Sequence, residues 1–163
     1  MVGFQCADVI ALASSIRNDI LFVYNYDYFA TSSGYSFWLG ARFGTPYVMQ
    51  WDGDLIIHPN DAALCLQQEE PFIAYNRKQS QHGIFCDVNS QGQVTRFSRQ
   101  NGEFEWTVPC WISSTYINPE ANYVFNMLEQ ALPIQCIEVS AMDIDTVEDY
   151  RTALCLLQKW SIL

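Results

Sequence analysis

The chain has 163 residues, half of them apolar, which is enough for a single domain with a substantial core and excludes a disordered or fibrous protein. Its formal charge of −10 argues against a nucleic-acid backbone or an anionic membrane surface as partner, because its eight Lys and Arg residues do not cluster; Arg77-Lys78 and Arg96 with Arg99 come nearest. No apolar run approaches the roughly 18 residues of a membrane span and no signal peptide is visible, so a soluble, cytoplasmic protein is expected.

In chain order, apolar periodicity predicts a helix over residues 7–16, a strand over 20–24, a polar loop over 25–33 and a helix over 34–43. Pro46 to Trp51 reads as a buried strand ending at Asp52-Gly53-Asp54, and Leu55-Ile56-Ile57 leads to Pro59-Asn60-Asp61, a turn and helix cap. A strand over 72–75 precedes a hairpin, in which residues 83–88 and 93–97 flank the Asn89-Ser90-Gln91-Gly92 turn. A strand is expected over 110–117, a helix from Asn118 to about Leu132 with Pro133 beyond it, and a strand over 134–139.

The last helix is the most strongly marked. Thr146 suits the N-cap, Asp149 stands three residues on as in a capping box, and Glu148 and Asp149 match the positive end of the helix dipole. Val147, Tyr150, Leu154 and Leu157 form an apolar stripe, which predicts a helix over 147–160. Asp143 and Asp145 therefore fall where a strand hands over to a helix, the place where open α/β sheets bind ligands.

The alternation of strands and helices predicts a single α/β domain over 1–163, in three layers, with the hairpin as an insertion. The six cysteines lie mostly within apolar stretches, with no C-x-x-C spacing, and read as reduced core residues. His58 and His82 are isolated from them, which gives a zinc site or a Cys-His nucleophile little support. Two acidic strand ends, Asp52-Gly53-Asp54 and Asp143-Ile144-Asp145, can converge on one hard divalent cation, although an Asp-x-Asp triplet also arises easily in so acidic a chain.

With these elements placed, the chain resembles the sugar-phosphate and choline-phosphate nucleotidyltransferases. The resemblance runs from Val2 to Trp160. It is carried by Val2-Gly3-Phe4-Gln5, by Tyr24-Asn25 through Thr31-Ser32-Ser33-Gly34-Tyr35-Ser36, by Trp51-Asp52-Gly53-Asp54, by Gly83 to Val88 with Gly92-Gln93-Val94, and by Asp143-Ile144-Asp145-Thr146-Val147-Glu148-Asp149. It implies a Rossmann-like three-layer α/β/α nucleotidyltransferase fold. Asp54 and Asp145 match the family's catalytic carboxylates that hold Mg²⁺. Asn25, Ser33, Ser36, Asp52 and Gly53 fall at nucleotide- or substrate-binding positions. The implied reaction is attack by a phosphate oxygen of a small phosphorylated acceptor on the α-phosphorus of a nucleoside triphosphate, with release of pyrophosphate.

Members of the family begin with a strand and a Gly-rich loop that grips the triphosphate. Met1 falls after that first β-α-β unit, so the resemblance implies an N-terminally truncated form, whose activity depends on a segment supplied elsewhere and whose exposed apolar edge favours a homo-oligomer. Phe97-Ser98-Arg99-Gln100 stands where sugar-phosphate members carry a Glu-Lys pair, which leaves room for a choline acceptor held by Trp106 or Trp111, although core packing is the commoner fate of such residues. Two other readings stay open: a metal-dependent nucleotide-sugar glycosyltransferase built on Asp52-Gly53-Asp54, and a non-catalytic interaction module of the same fold.

Overall fold

The computed structural model describes residues 1–77 and 83–162; Lys78 and His82 lie outside the described residues. The chain divides into two compact units, Met1–Val48 with Ser113–Ala131, and Met49–Ile112 with Leu132–Leu163.

The first unit opens with helix α1, Cys6–Ile16, close to expectation, although Gln5 enters it in a left-handed conformation and none of its residues is buried. The strand expected over 20–24 does not form. An extended segment becomes a strand only where a neighbour pairs along it. Here a single parallel bridge joins Val2 to Tyr24, flanked by the bonds Val2 N to Val23 O and Asn25 N to Val2 O, both 2.9 Å.

Helix α2, Ser33–Ala41, stops short of residue 43 where the chain turns back at Gly44. Its second residue lies flush against the backbone of Ala121 and Asn122. Gly34 N donates to Asn122 O at 3.2 Å, and a Cβ at this position would overlap the Ala121 carbonyl oxygen. The helix expected from Asn118 begins later. Asn118 Oδ1 accepts from the backbone N–H groups of Glu120 and Ala121, which stabilises a turn in place of a first helical turn. Helix α4 in chain order after α3 (Pro59–Leu66) is Val124–Leu128, followed by a 3-10 turn over Glu129–Ala131. Val2, Phe37, Ile117, Val124 and Phe125 are buried in this unit.

The second unit carries most of a six-stranded mixed sheet. Its strands are β1 (Tyr47–Gln50, whose last two residues belong here), β3 (Phe72–Arg77), β4 (Phe85–Val88), β5 (Gln93–Ser98), β6 (Phe104–Ser113) and β7 (Ile134–Glu138), in the order β1-β6-β3-β7-β5-β4. β4 also pairs with β6, so β3, β6, β4, β5 and β7 close a ring. The expected hairpin is therefore tied back to the sheet. Its turn is held by Asn89 Oδ1, which accepts from Gln91 N and Gln93 N, and by Gly92 at φ 72°, a conformation that suits glycine.

Strand β6 starts six residues before the expected position and ends at Ser113, with a 3-10 turn over Ser114–Tyr116 where strand was expected. The start lies earlier because residues 104–107 pair with β3 and 104–105 with β4. The register against β3 slips between Ile73, opposite Cys110, and Ala74, opposite Thr107, so Val108 and Pro109 form the bulge. A bulge is where a residue without an N–H fits inside a sheet.

A second, two-stranded sheet pairs β2 (Leu55–Ile57) with β8 (Ala141–Asp143). Between β2 and β3 lies α3, whose N-cap is His58 rather than a residue of the expected turn; His58 Nδ1 accepts from Asn60 N at 3.2 Å. Cys65, Phe72, Ala74, Val139 and Ala141 form a buried cluster against which Met49, Leu55, Ile57, Trp111 and Ile137 pack. Helix α5, Val147–Lys159, ends the unit with Trp160 as its C-cap. The expected capping box is present: Thr146 N and Oγ1 donate to Asp149 Oδ2 at 2.8 and 2.7 Å, and Asp149 N donates to Thr146 Oγ1 at 3.1 Å.

Candidate functional site

The β2–β8 pair brings the two acidic motifs together. Leu55 stands opposite Asp143 and Ile57 opposite Ala141, and Ile144 N donates to Asp54 O at 2.9 Å. Leu55, Ile57 and Ala141 share the face that packs on the buried cluster, which pins the register; a one-residue slip would turn them outward. Asp143 lies on the same face as Ala141, at its rim.

That position explains its chemistry. Asp143 is exposed, yet loss of hydration, then the charges of Asp54, Asp145, Asp52 and Glu105, push its carboxyl up to about 6. Asp52 is raised as well, first by loss of hydration and further by the charge of Asp54, against a hydrogen bond from Gln50 that acts in the opposite direction. Gln50 is buried; its Nε2 donates to Asp52 Oδ1 at 2.7 Å and its Oε1 accepts from Cys110 Sγ at 3.6 Å. Asp52 thus has a fixed orientation, which sequence reasoning missed, since nothing in a strand-end glutamine announces its partner.

Among the described residues no basic side chain pairs with Asp52, Asp54, Asp143 or Asp145; the ion pairs are Arg17–Asp19, Arg77–Glu138, Arg96–Asp87 and Arg151–Glu148. Nor, among the described residues, do three or more His, Cys, Asp and Glu side chains form a metal-binding group. The carboxylates feel one another's charge without making a cage of protein ligands. Such a donor set fits Mg²⁺, which binds through one or two carboxylates and completes its shell with water and substrate phosphates. Gly53 lies between two of them, and a Cβ there would meet nothing within 4 Å.

Four of the five thiols of this unit are held back as nucleophiles; the fifth, Cys155, is exposed on helix α5. Burial pushes Cys65 and Cys136 up to about 11, and Cys86 and Cys110 up to about 12, so all four stay protonated near neutrality.

The other expected site residues lie in the first unit. Asn25 is 4% exposed, and its side chain is fully engaged: Nδ2 donates to Thr31 Oγ1 at 2.9 Å and Ser36 Oγ at 3.0 Å, and Oδ1 accepts from Asp27 N at 3.0 Å. Asn25 and Ser36 thereby hold the loop that enters α2. Ser33 is exposed at the start of that helix. Next to it, Phe29, Thr31, Ser32, Tyr35, Asn122 and Tyr123 line an open cavity of about 480 Å³. Of the two tryptophans considered for cation binding, Trp111 packs on the buried cluster and Trp106 sits edge-on to Phe97 at 6.3 Å.

The sequence matches no protein-family model and no curated protein. Solved structures do match the fold. The inositol-1-phosphate CTP transferase from T. maritima is similar over 98% of this chain and 74% of its own, at 13% identity and TM-score 0.74. CTP:phosphocholine cytidylyltransferase from Streptococcus pneumoniae is similar over 93% and 75%, at 16% identity and TM-score 0.71. An apo UDP-glucose pyrophosphorylase is similar over 98% and 75%, at 13% identity and TM-score 0.63. At such identities the likeness shows fold alone, and that fold, shared along nearly the whole chain, is the one on which sugar-phosphate and choline-phosphate nucleotidyltransferases are built.

Proposed function

We propose that this chain is a nucleotidyltransferase, joining a nucleotidyl group from a nucleoside triphosphate to a small phosphorylated acceptor. In this reaction an acceptor phosphate oxygen forms a bond to the α-phosphorus, the bond from that phosphorus to the bridging oxygen breaks, and pyrophosphate leaves. The observation that carries the reading is the juxtaposition of Asp52-Gly53-Asp54 with Asp143-Ile144-Asp145 across the β2–β8 pair, on a fold shared with such enzymes.

Asp54 and Asp145 are the proposed Mg²⁺ ligands. Bound there, the ion would neutralise charge on the phosphates as it shifts to the leaving group. Asp52, held by Gln50, supports Asp54, and the capping box fixes the backbone next to Asp145. The proposed reaction asks for position and negative charge rather than a side-chain nucleophile, and the thiols of Cys86 and Cys110 are raised by burial. The loop at Thr31 to Ser33, with the cavity beside it, is the proposed nucleotide contact, and Asn25 and Ser36 shape that loop.

The proposal extends to a single Rossmann-like, three-layer domain over 1–163, located in the cytoplasm, where six free cysteines stay reduced. No helix among the described residues is long and apolar enough to cross a membrane. It also includes self-association, supported by the large exposed side chains Phe4, Leu12, Ile16 and Leu21 of the first unit; a single monomeric species in sedimentation counts against it.

The deciding experiment offers CTP, UTP, dTTP and GTP with Mg²⁺ and a panel of phosphorylated acceptors, and measures pyrophosphate. Release that depends on Mg²⁺ and disappears in Asp54→Ala and Asp145→Ala supports the reading. Release of nucleoside diphosphate from a nucleotide sugar would favour the glycosyltransferase instead, and absence of nucleotide binding would favour the interaction module.

A further inference from the structure

The β2–β8 pair carries the carboxylates at one end, and its other end is held by the start of helix α3. Two strands of three residues each are marginal by themselves. Burial of Leu55, Ile57 and Ala141 decides which face turns inward, and the ends depend on hydrogen bonds. Just beyond Ile57 and just before Ala141, His58 N donates to Ser140 O at 2.9 Å, and Ser140 N donates to Asp61 Oδ2 at 2.8 Å. Both backbone polar groups of Ser140 are thus engaged by residues at the start of α3. The second bond has a charged acceptor, the stronger kind.

That helix start is itself braced. His58 caps it through Nδ1, and the His58 carbonyl oxygen accepts from the N–H groups of Asp61 and Ala62, both at 3.0 Å. The His58 and Trp160 rings meet at 80° with centroids 5.2 Å apart, and Trp160 is the C-cap of α5. Three stretches therefore lead from the surroundings of His58 to the carboxylates: β2 back to Asp54, β8 forward to Asp143, and α5 back to Asp145. At the carboxylate end, Ile144 N donates to Asp54 O at 2.9 Å and closes the frame. All of these residues belong to the second unit.

We infer that Asp61, supported by His58, is a positioning residue of the carboxylate site: by holding Ser140 it sets how β8 lies along β2, and so how Asp143 and Asp145 stand relative to Asp54. This deepens the proposed function and rests on it for the ion that Asp54 and Asp145 would share. Asp61 Oδ2 serves here as the acceptor of one N–H, a task that the carbonyl oxygen of an amide can take over and an alanine cannot.

The test joins amide hydrogen exchange to calorimetric titration with Mg²⁺ alone, both on the full chain. Exchange is followed at Ile144, whose N–H bonds to Asp54 O, and at Trp106, whose N–H bonds to Ile84 O at 2.7 Å, as a reference for overall stability. In Asp61→Ala the Ile144 amide is expected to exchange about tenfold faster or more relative to Trp106, the scale of losing a hydrogen bond to a charged group. Mg²⁺ affinity should fall by about tenfold, as it does when the outer partners of metal ligands are removed. Asp61→Asn should restore both. His58→Ala should move both in the same direction and to a smaller extent, and His58→Asn, which keeps a capping oxygen, should move them less. Unchanged exchange at Ile144 in Asp61→Ala overturns the inference, as does equal acceleration at Ile144 and Trp106, unchanged Mg²⁺ affinity, or an Asp61→Asn protein that behaves as Asp61→Ala does. Absence of Mg²⁺ binding in every form, with Ile144 still accelerated, would sink the proposed function and keep the hold of Asp61 on the pair; unmoved exchange beside Mg²⁺-dependent pyrophosphate release would do the reverse.

Discussion

Asn25 in the first unit and the strand-end aspartates in the second are both polar groups expected at the site, and their surroundings differ in kind. Asn25 is buried, with its amide spent on Thr31, Ser36 and Asp27. Asp54 and Asp145 are exposed, close to other carboxylates, and without a basic partner among the described residues. A polar side chain satisfied within its own unit shapes the backbone, whereas carboxylates set against one another at higher cost invite a cation. Sequence position placed both in one category, and their partners separate them.

The largest effect that would sharpen this contrast is on turnover. Asp54→Ala and Asp145→Ala should each lower Mg²⁺-dependent pyrophosphate release by about a hundredfold or more, the scale of losing a main electrostatic contributor. Thermal stability should hold or rise, because each change removes like-charge repulsion. A melting temperature that falls along with activity would mean that these carboxylates are structural. Asn25→Ala should behave in the opposite way, costing about 2–3 kcal/mol for a buried group with three hydrogen bonds and lowering the melting temperature by about 4–12 °C. Loss of nucleotide affinity at unchanged stability would place Asn25 among the ligand contacts and break the comparison.

The same difference explains what the sequence could show. Elements whose signals are local were legible: the capping box at Thr146 and Asp149, the hairpin with Gly92 in its turn, and helices α1 and α5. The handover from strand to helix at Asp143 and Asp145 was legible for the same reason. What depended on distant partners was not. Residues 20–24 lack a strand because only Val2 bridges to them, and β6 begins at Phe104 because β3 and β4 both draw it in. The helix expected at Asn118 lost to that residue's own side-chain bonds, a local competition that composition does not decide. At the site, the carboxylates were visible as residues, but Gln50 as the hold on Asp52 and Asp61 as the hold on Ser140 emerge only from tertiary structure.

Two helix starts extend the comparison at smaller scale. Ser32 caps α2 without a side-chain hydrogen bond, whereas Thr146 caps α5 with reciprocal bonds to Asp149. Thr146→Ala should therefore cost about 1 kcal/mol, a melting shift of about 2–4 °C, and Ser32→Ala close to nothing. Because Thr146 follows Asp145 directly, its loss should also weaken Mg²⁺ binding, measured by titrating the ion against the melting temperature. Equal effects of the two substitutions would show that the box does not hold the end of α5.

The smallest expected effect concerns Asp143 and has a definite sign. Its carboxyl titrates at about 6 in the folded chain, against about 3.9 for an ordinary aspartate in the unfolded one. Between those values the folded chain binds more protons, so the contribution of this group to stability declines as pH rises from about 4 to 6 and is unfavourable above. Asp143→Asn should then be the more stable protein at pH 7.5, by less than about 1 kcal/mol because the group is exposed and screened, and the margin should shrink at pH 5. Protons and Mg²⁺ compete for the same cluster, so the rise in melting temperature that Mg²⁺ gives the unsubstituted chain should be smaller at pH 5 than at pH 7.5. In Asp143→Asn that rise should vary less over the same interval. If the unsubstituted chain is instead the more stable at pH 7.5 without Mg²⁺, the carboxylates do not oppose one another, and the contrast with Asn25 loses its physical basis.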